Sequence, residues 1–471
     1  MNKFNKSLLW LRRDLRLYDN AALFHALNES TSVHCIFIFD SNILQALENK
    51  KDQRVEFIWE SLLQIKKQLN KFNSDLIVKY GDPKEIIPEL VKDYQCDALY
   101  INKDYEAYAR KRDTEIVNKL KIECFQYKDQ VLFEENEILT KSETPYSVFT
   151  PYKNSHLKKL FSEGINQFDC ESLSKNYAKL NPMPMLKIED IGFKESNLKS
   201  LPIPVGEDGG AILIEDFKKR IHDYGTKRNF PSIKGVSYLS VHNRFGTVSI
   251  RQLAKVALKA SSEGASVWLS ELIWRDFYFQ ILFNFPHVNE GKAFKLKYND
   301  LKFENNPEYF MAWKEGMTGY PIIDAAMRQL NKTGYMHNRL RMIAASFLVK
   351  DLLIDWRWGE AYFAEKLIDF DFSANNGGWQ WAASTGCDAQ PWFRIFNPIL
   401  QSKKFDSEGK FIKKYIPELS TFSASEIHDP WVEKKYYTIG ERITLGVDYP
   451  MPIVNHSEQR IKALDIYSAK K

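Results

Sequence analysis

The chain runs to 471 residues, 44% of them hydrophobic and 27% charged. That is too long for one small core and apolar enough for two or three globular domains, which excludes a disordered or fibrous protein. Its formal charge of +5 is spread along the chain instead of gathered in a tail, which allows a nucleic-acid partner without demanding one.

The opening MNKFNKSLLWLRRDLRL is interrupted by charges before any long apolar run, so it reads as neither a signal peptide nor a membrane span. Up to about residue 130, short apolar runs alternate with amphipathic stretches. Ser7 to Leu11, VHCIFIFD ending at Asp40, DLIVKYGD ending at Asp82, DALYIN ending at Asn102, and Glu123 to Tyr127 predict buried parallel strands. RVEFIWESLLQIKKQL and EIIPELVKDYQ, lying between them, predict helices. Residues 1–130 are therefore expected to form a doubly wound α/β domain with right-handed crossovers. Its ligand crevice belongs at the carboxyl ends of the strands, near Arg12, Asp40, Gly81 and Asp104. No GxGxxG follows the first strand, which argues against an ordinary dinucleotide site.

From 131 to 210 the periodicity weakens, and KSETP, NPMPM and LPIPVGEDGG predict a long interdomain connection. From 211 to 471 the apolar spacing is helical almost everywhere, in AILIEDFKKRI, WLSELIWRDFYFQILF, PIIDAAMRQL and RLRMIAASFLVKDLLIDW, so an all-α domain is expected. The five cysteines include no CxxC pair and no spacing suited to zinc or an iron–sulfur cluster. They read as reduced thiols in a cytoplasmic protein, and no metal is expected.

Within the helical half, Asn375 to Pro398 reads NNGGWQWAASTGCDAQPWFRIFNP, three tryptophans and two phenylalanines around paired asparagines and glycines. A tightly packed turn between helices would account for that composition alone. Its neighbours carry a different pattern. On WLSELIWRDFYF, Trp268, Glu271, Arg275 and Tyr278 recur at three and four residues with Trp274 beside them. A core helix with a Glu271–Arg275 surface pair, worth only about 0.2–0.5 kcal/mol, would explain this as well. On MHNRLRMIAASF, Asn338, Arg341 and Met342 share a face, and LIDFDFSANNGGWQW adds Asp369, Asp371 and Asn375. Carboxylates, amides and arginines among indoles describe a pocket for a flat heteroaromatic ligand with polar edges.

LLWLRRDLRLYDN, SVWLSELIWRDFY, GYPIIDAAMRQL, GYMHNRLRM and the Asn375–Pro398 stretch together resemble the signature segments of the photolyase and cryptochrome family, in particular its bacterial cyclobutane pyrimidine dimer photolyases. The resemblance runs from about Leu8 to the C-terminal region. It implies an N-terminal antenna-chromophore domain, a linker and a helical domain that binds FAD and DNA. The implied reaction is light-driven splitting of pyrimidine dimers by electron transfer from reduced FAD to a flipped-out lesion. Tyr224, Ser237, Leu239 and Ser240 match positions that hold the flavin pyrophosphate and sugars, although Val236 and Tyr238 replace the usual Thr and Arg of that loop. Trp268, Glu271, Arg275 and Asn338 match further flavin or lesion contacts. Arg341 and Asp369 match an ion pair beside the isoalloxazine, Asp371 a group near its pyrimidine edge, and Asn375 the amide facing N5. An amide there cannot readily supply a proton. Plant cryptochromes carry an acid at that position, so Asn375 favours repair over the alternative, a blue-light photoreceptor.

Trp274 and Trp381 match the indoles that sandwich the flipped dimer, with Glu271, Asn338 and Met342 as its other contacts. Extrusion of a damaged, poorly stacked pair costs a few kcal/mol, less than for a sound pair; photolyases are themselves a standard case of base flipping. His337 reads as structural. Arg228, Lys153, Arg339 and Arg394 are candidate phosphate contacts. Tyr108-Ala109 stands where folate-using relatives have Asn-Glu, so a methenyltetrahydrofolate antenna is not expected; FDSNILQ, QRVEFI and NKDYEAYARKRD, with Asp40, Arg54 and Asp104, resemble the pocket of relatives that use a deazaflavin or a second flavin. Trp379 and Trp356 match the first two rings of a tryptophan relay, and the third position falls on Phe303, which cannot hold a hole as an indole does. The expected partner is dimer-containing DNA, bound by a monomer away from membranes.

Overall fold

A computed structural model describes residues 3–432 and 444–470. All five expected strands are present: β1 (Phe4–Leu11), β2 (Ser30–Asp40), β3 (Leu76–Gly81), β4 (Ala98–Asn102) and β5 (Glu123–Tyr127). They form one parallel sheet in the order β3-β2-β1-β4-β5, with Leu9 registered against Cys35 on one side and Tyr100 on the other. β1 is central, and the side chains of Leu8, Leu9, Trp10 and Leu11 are buried, as a strand covered on both faces requires. The strand order reverses between β1 and β4, which places the crevice at their carboxyl ends.

The connection between residues 131 and 210 is more structured than its composition suggests. A helix spans Phe149–Glu163, with Pro151 in its first turn, where a missing N–H costs nothing. The Gly-rich GEDGG opens the Gly206–Lys218 helix, so that helix starts earlier than apolar spacing alone places it. Conversely, RLRMIAASFLVKDLLIDW is not one helix. The Asn338–Lys350 helix stops, Leu353 takes a left-handed φ of 53°, and a new helix, Trp356–Lys366, starts with Asp355 as its cap.

The chain falls into two compact units that do not follow chain order. One comprises Met1–Tyr146, Thr150–His222 and Ser237–Phe283; the other comprises Ser147–Phe149, Asp223–Val236 and Asn284–Lys471. The long Glu263–Asn284 helix thus belongs almost wholly to the unit that holds the sheet. In the second unit the core is continuous, built from residues such as Trp313, Leu340, Phe347, Trp356 and Trp379.

Candidate functional site

In the first unit, Asp276 anchors the Glu263–Asn284 helix. Its fully buried carboxylate accepts from the backbone N–H of Leu132 at 2.9 Å and of Phe133 at 3.3 Å, and lies 3.2 Å from His156 Nε2. That anchor fixes the rotation of the face bearing Glu271, Trp274 and Arg275. Trp274 packs its ring against Phe277 at 5.6 Å and Tyr278 at 5.5 Å. Trp268 is buried 4.8 Å from Phe217. Arg275 donates to the carbonyl of Gln130 and lies 4.8 Å over Phe279. In the loop before the Ser240–Phe245 helix, Leu239 N–H reaches Ser237 Oγ at 3.4 Å. Tyr238 there holds φ at 60°, a left-handed conformation that costs a non-glycine residue about 1–2 kcal/mol.

The strand-end crevice lies in the same unit. Arg12 donates to Asp113 and to the carbonyl of Asn102. Arg112 meets Asp40 at 3.2 Å and Asp113 at 2.9 Å, and Tyr108 O–H donates to Asp40 at 2.8 Å. Asp104 is buried, which raises its pKa, but Arg13, Arg12 and Arg244 outweigh burial and hold the carboxyl below its ordinary value. Arg54 pairs with Asp52 at the start of the Gln53–Asn70 helix.

In the second unit, the Asn338–Lys350 helix presents Asn338, Arg339, Arg341 and Met342 from its first turns. Its cap is His337, whose Nδ1 accepts from Arg339 N–H at 3.2 Å. Burial, with Arg339, Arg341 and Arg228 nearby, pushes the His337 pKa down to about 4, so the ring is neutral and able to accept. Arg341 grips Asp369 through two contacts of 3.0 and 2.8 Å and donates Nε–H to the Met336 carbonyl at 2.8 Å. Asp371 caps the next helix, Phe372–Ala382, accepting from Ser373 N–H at 3.1 Å and Oγ–H at 2.6 Å. The paired asparagines and glycines therefore lie within a helix and not in a turn.

Along that helix Asn375 donates Nδ2–H to the carbonyl of Glu360 at 3.1 Å. A carbonyl only accepts, so the amide orientation is fixed and Oδ1 is left for an outside donor. Asn376 donates to Glu360 Oε1 at 2.9 Å, and Gln380 donates to Asn376 at 2.9 Å and accepts from Phe294 N–H at 2.7 Å. Burial pushes the Glu360 pKa up to about 7. Trp379 lies against Gly359, where any Cβ would collide with its ring, and its buried Nε1–H has no hydrogen-bond partner among the described residues. Trp381 remains half-buried, 6.5 Å from Phe396. Tyr224 is buried beneath the guanidinium of Arg228. Arg339 is paired with Asn229 at 2.7 Å, whereas Arg394 is exposed.

Glu360 and Gln380 were not singled out from the sequence. Their partners lie across helix contacts or at helix starts, and no local pattern announces them. The donor set of this unit fits a flavin: a carbonyl-oriented amide, an Arg–Asp pair, a capping carboxylate and unpartnered buried indole N–H suit a flat ring with donor and acceptor edges.

Residues 7–170 match the family described as DNA photolyase, and residues 268–469 match the FAD binding domain of DNA photolyase. A deoxyribodipyrimidine photo-lyase of Escherichia coli is 38% identical, covering 98% of this chain and 98% of its own length. The crystal structure of a bacterial class III photolyase from Agrobacterium tumefaciens superposes with a TM-score of 0.87 at 31% identity, covering 100% and 98% of the two chains. An archaeal photolyase from Sulfolobus tokodaii, solved with two FAD molecules, gives 0.78 at 34% identity, covering 98% and 100%. The fold and site thus define a flavoprotein built on a parallel α/β sheet and a helical FAD-binding domain. The chain belongs to the DNA photolyase family.

Proposed function

We propose that the protein is a deoxyribodipyrimidine photo-lyase that splits cyclobutane pyrimidine dimers in DNA under blue light. FAD supplies the photochemistry when bound: excited in its reduced form, it donates an electron to the dimer and regains it after the ring bonds break. The chain's own residues position, orient and exclude water. The observation that carries this reading is the Phe372–Ala382 helix, where Asn375 donates Nδ2–H to the Glu360 carbonyl and so keeps Oδ1 as an acceptor. That oxygen accepts a hydrogen bond from a protonated ring nitrogen and has no proton to give, which suits a cofactor kept reduced.

Arg341 with Asp369, Asp371 and Asn375 form the flavin-holding set of the second unit. Tyr224, Ser237, Leu239, Ser240, Trp268 and Arg275 serve the cofactor's phosphates, sugars and ring. Trp274 and Trp381 are assigned to stacking on the flipped lesion, with Glu271, Asn338 and Met342 as its remaining contacts. Arg228, Arg339 and Arg394 are assigned to phosphates. Exposed Arg394 is ready for that role, whereas Arg339 must leave Asn229 or reach the backbone alongside it. The crevice near Asp40 and Asp104 is assigned to a second, flavin-like chromophore, in keeping with the two FAD molecules of the Sulfolobus relative. Work as a cytoplasmic monomer completes the reading; five unpaired cysteines suit a reducing compartment, and no helix among the described residues is long and apolar enough to cross a membrane.

An action spectrum tests the proposal. Dimer loss from irradiated DNA should follow the absorption of the bound reduced flavin and its antenna. Dimer loss that ignores wavelength, or that proceeds equally in darkness, would refute it.

A further inference from the structure

The relay of rings that the family pattern leads one to expect reaches a dead end in this chain. Trp356 is 1% exposed, so an oxidised indole there has far less contact with water to take its proton than a surface ring has. The Arg357 guanidinium lies 4.8 Å over its ring, and although Asp355 pairs with that arginine at 2.9 Å, a cation on the ring face opposes a positive hole. The position beyond it is Phe303, a ring packed among core residues.

A second file of rings leaves Trp379 in another direction. Trp313, fully buried, meets Trp379 edge-on at 6.1 Å. Phe310 stacks on Trp313 at 6.0 Å with 15° between the planes, and Trp358 meets Phe310 edge-on at 5.2 Å. Trp358 is 37% exposed and so opens this file to solvent. Tyr362 also touches Trp313, at 5.8 Å, but makes a poor terminus. Burial pushes its phenol pKa up to about 12, and its O–H donates at 2.6 Å to the Asn331 amide, which cannot take the proton.

We propose that Trp313 and Trp358 carry the electron that reduces oxidised flavin in this protein, with Phe310 bridging them and Trp356 off the main path. The proposal rests on the flavin reading above. One electron leaves the Trp379 ring for the photoexcited oxidised cofactor, one passes from Trp313 to Trp379, and one passes from Trp358 to Trp313 through Phe310. The Trp358 indolyl cation then loses its N–H proton to water. A thiol in solution returns one electron and one proton, and two thiols so oxidised join as a disulfide.

The test is transient absorption of the flavin-loaded protein, with electron paramagnetic resonance to assign the radical, on wild type, Trp313→Phe, Trp358→Phe and Trp356→Phe. Trp313→Phe and Trp358→Phe should each lower the yield of long-lived tryptophanyl radical about tenfold, a partitioning change of about 1.4 kcal/mol. Trp356→Phe should lower it less than either. A loss in Trp356→Phe that matches or exceeds theirs, or an undiminished radical in Trp358→Phe, overturns the route. Exposed Trp358 keeps the test decisive should Trp313→Phe fail to fold. Chemically reduced Trp358→Phe should repair dimers like wild type; if reduced wild type does not repair, the functional reading fails, while the radical measurement still judges the route.

Discussion

The crevice at the ends of β1 and β4 and the helical wall around Asn375 are both polar and both buried, but they settle their polarity by different means. In the crevice, charge meets charge: Arg12 with Asp113, Arg112 with Asp40 and Asp113, and Arg13 with Glu106 at 2.9 Å, while Trp10 receives the guanidinium groups of Arg12 and Arg112 over its ring. Around Asn375 the Arg341–Asp369 ion pair stands beside a set of amides, Asn375, Asn376 and Gln380, tied together through Glu360 and one another. Ion pairs hold a shape by mutual neutralisation and resist rearrangement. Oriented amides offer donors and acceptors without net charge, the better surround for a ring whose own charge changes by one electron.

Removing the Arg341–Asp369 ion pair should have the largest effect. Arg341→Ala leaves Asp369, 3% exposed in its side chain, without a counterion, and should cost about 3 kcal/mol and most of the bound flavin. Thermal unfolding and flavin absorbance per mole of protein measure both. In the crevice, Arg112→Ala should cost less, about 2 kcal/mol, because Arg12 still meets Asp113 and Tyr108 still donates to Asp40. FAD content should stay at wild-type level, and a matching FAD loss would erase the contrast between the two regions.

The amide chain makes a smaller, pH-dependent prediction. The Glu360 pKa rises to about 7 in the fold from an ordinary 4.5, so its stabilising contribution is complete below about 4.5 and is lost as pH climbs through 7. Lys350, pushed down to about 7 by burial, has the opposite sign: its contribution is lost as pH falls through 7. The difference between wild type and Glu360→Gln isolates the carboxyl, and the variant's Tm should fall between pH 5 and pH 8 by about 2 °C less than that of wild type. Parallel Tm profiles would place Glu360 outside the network's energetics. Smallest in stability terms is Arg394→Ala, which should leave Tm unchanged while reducing the salt slope of DNA binding by about one unit.

The sheet was legible because its central strands, β1, β2 and β4, carry nearly unbroken apolar runs, and that signal is local. The Phe149–Glu163 helix was obscured by a polar, turn-rich context, although Pro151 in its first turn was available as a start signal. The break between Lys350 and Trp356 was hidden because LLID continues the apolar spacing while the backbone turns left-handed at Leu353. Asn375 could be singled out from its motif, but its orientation could not. The orienting carbonyl belongs to Glu360 on a neighbouring helix, which approaches closely where Gly359 packs against Trp379. Trp313, a single indole in PEYFMAWKE, carried no sign of its place beside Trp379.

Light-driven dimer splitting is tested most directly by counting thymines restored from an oligonucleotide carrying one cyclobutane dimer, using protein with its FAD chemically reduced, under blue light and in darkness. Restoration is expected in the light and none in the dark. A fully loaded, fully reduced protein that leaves the dimer intact under blue light would contradict it.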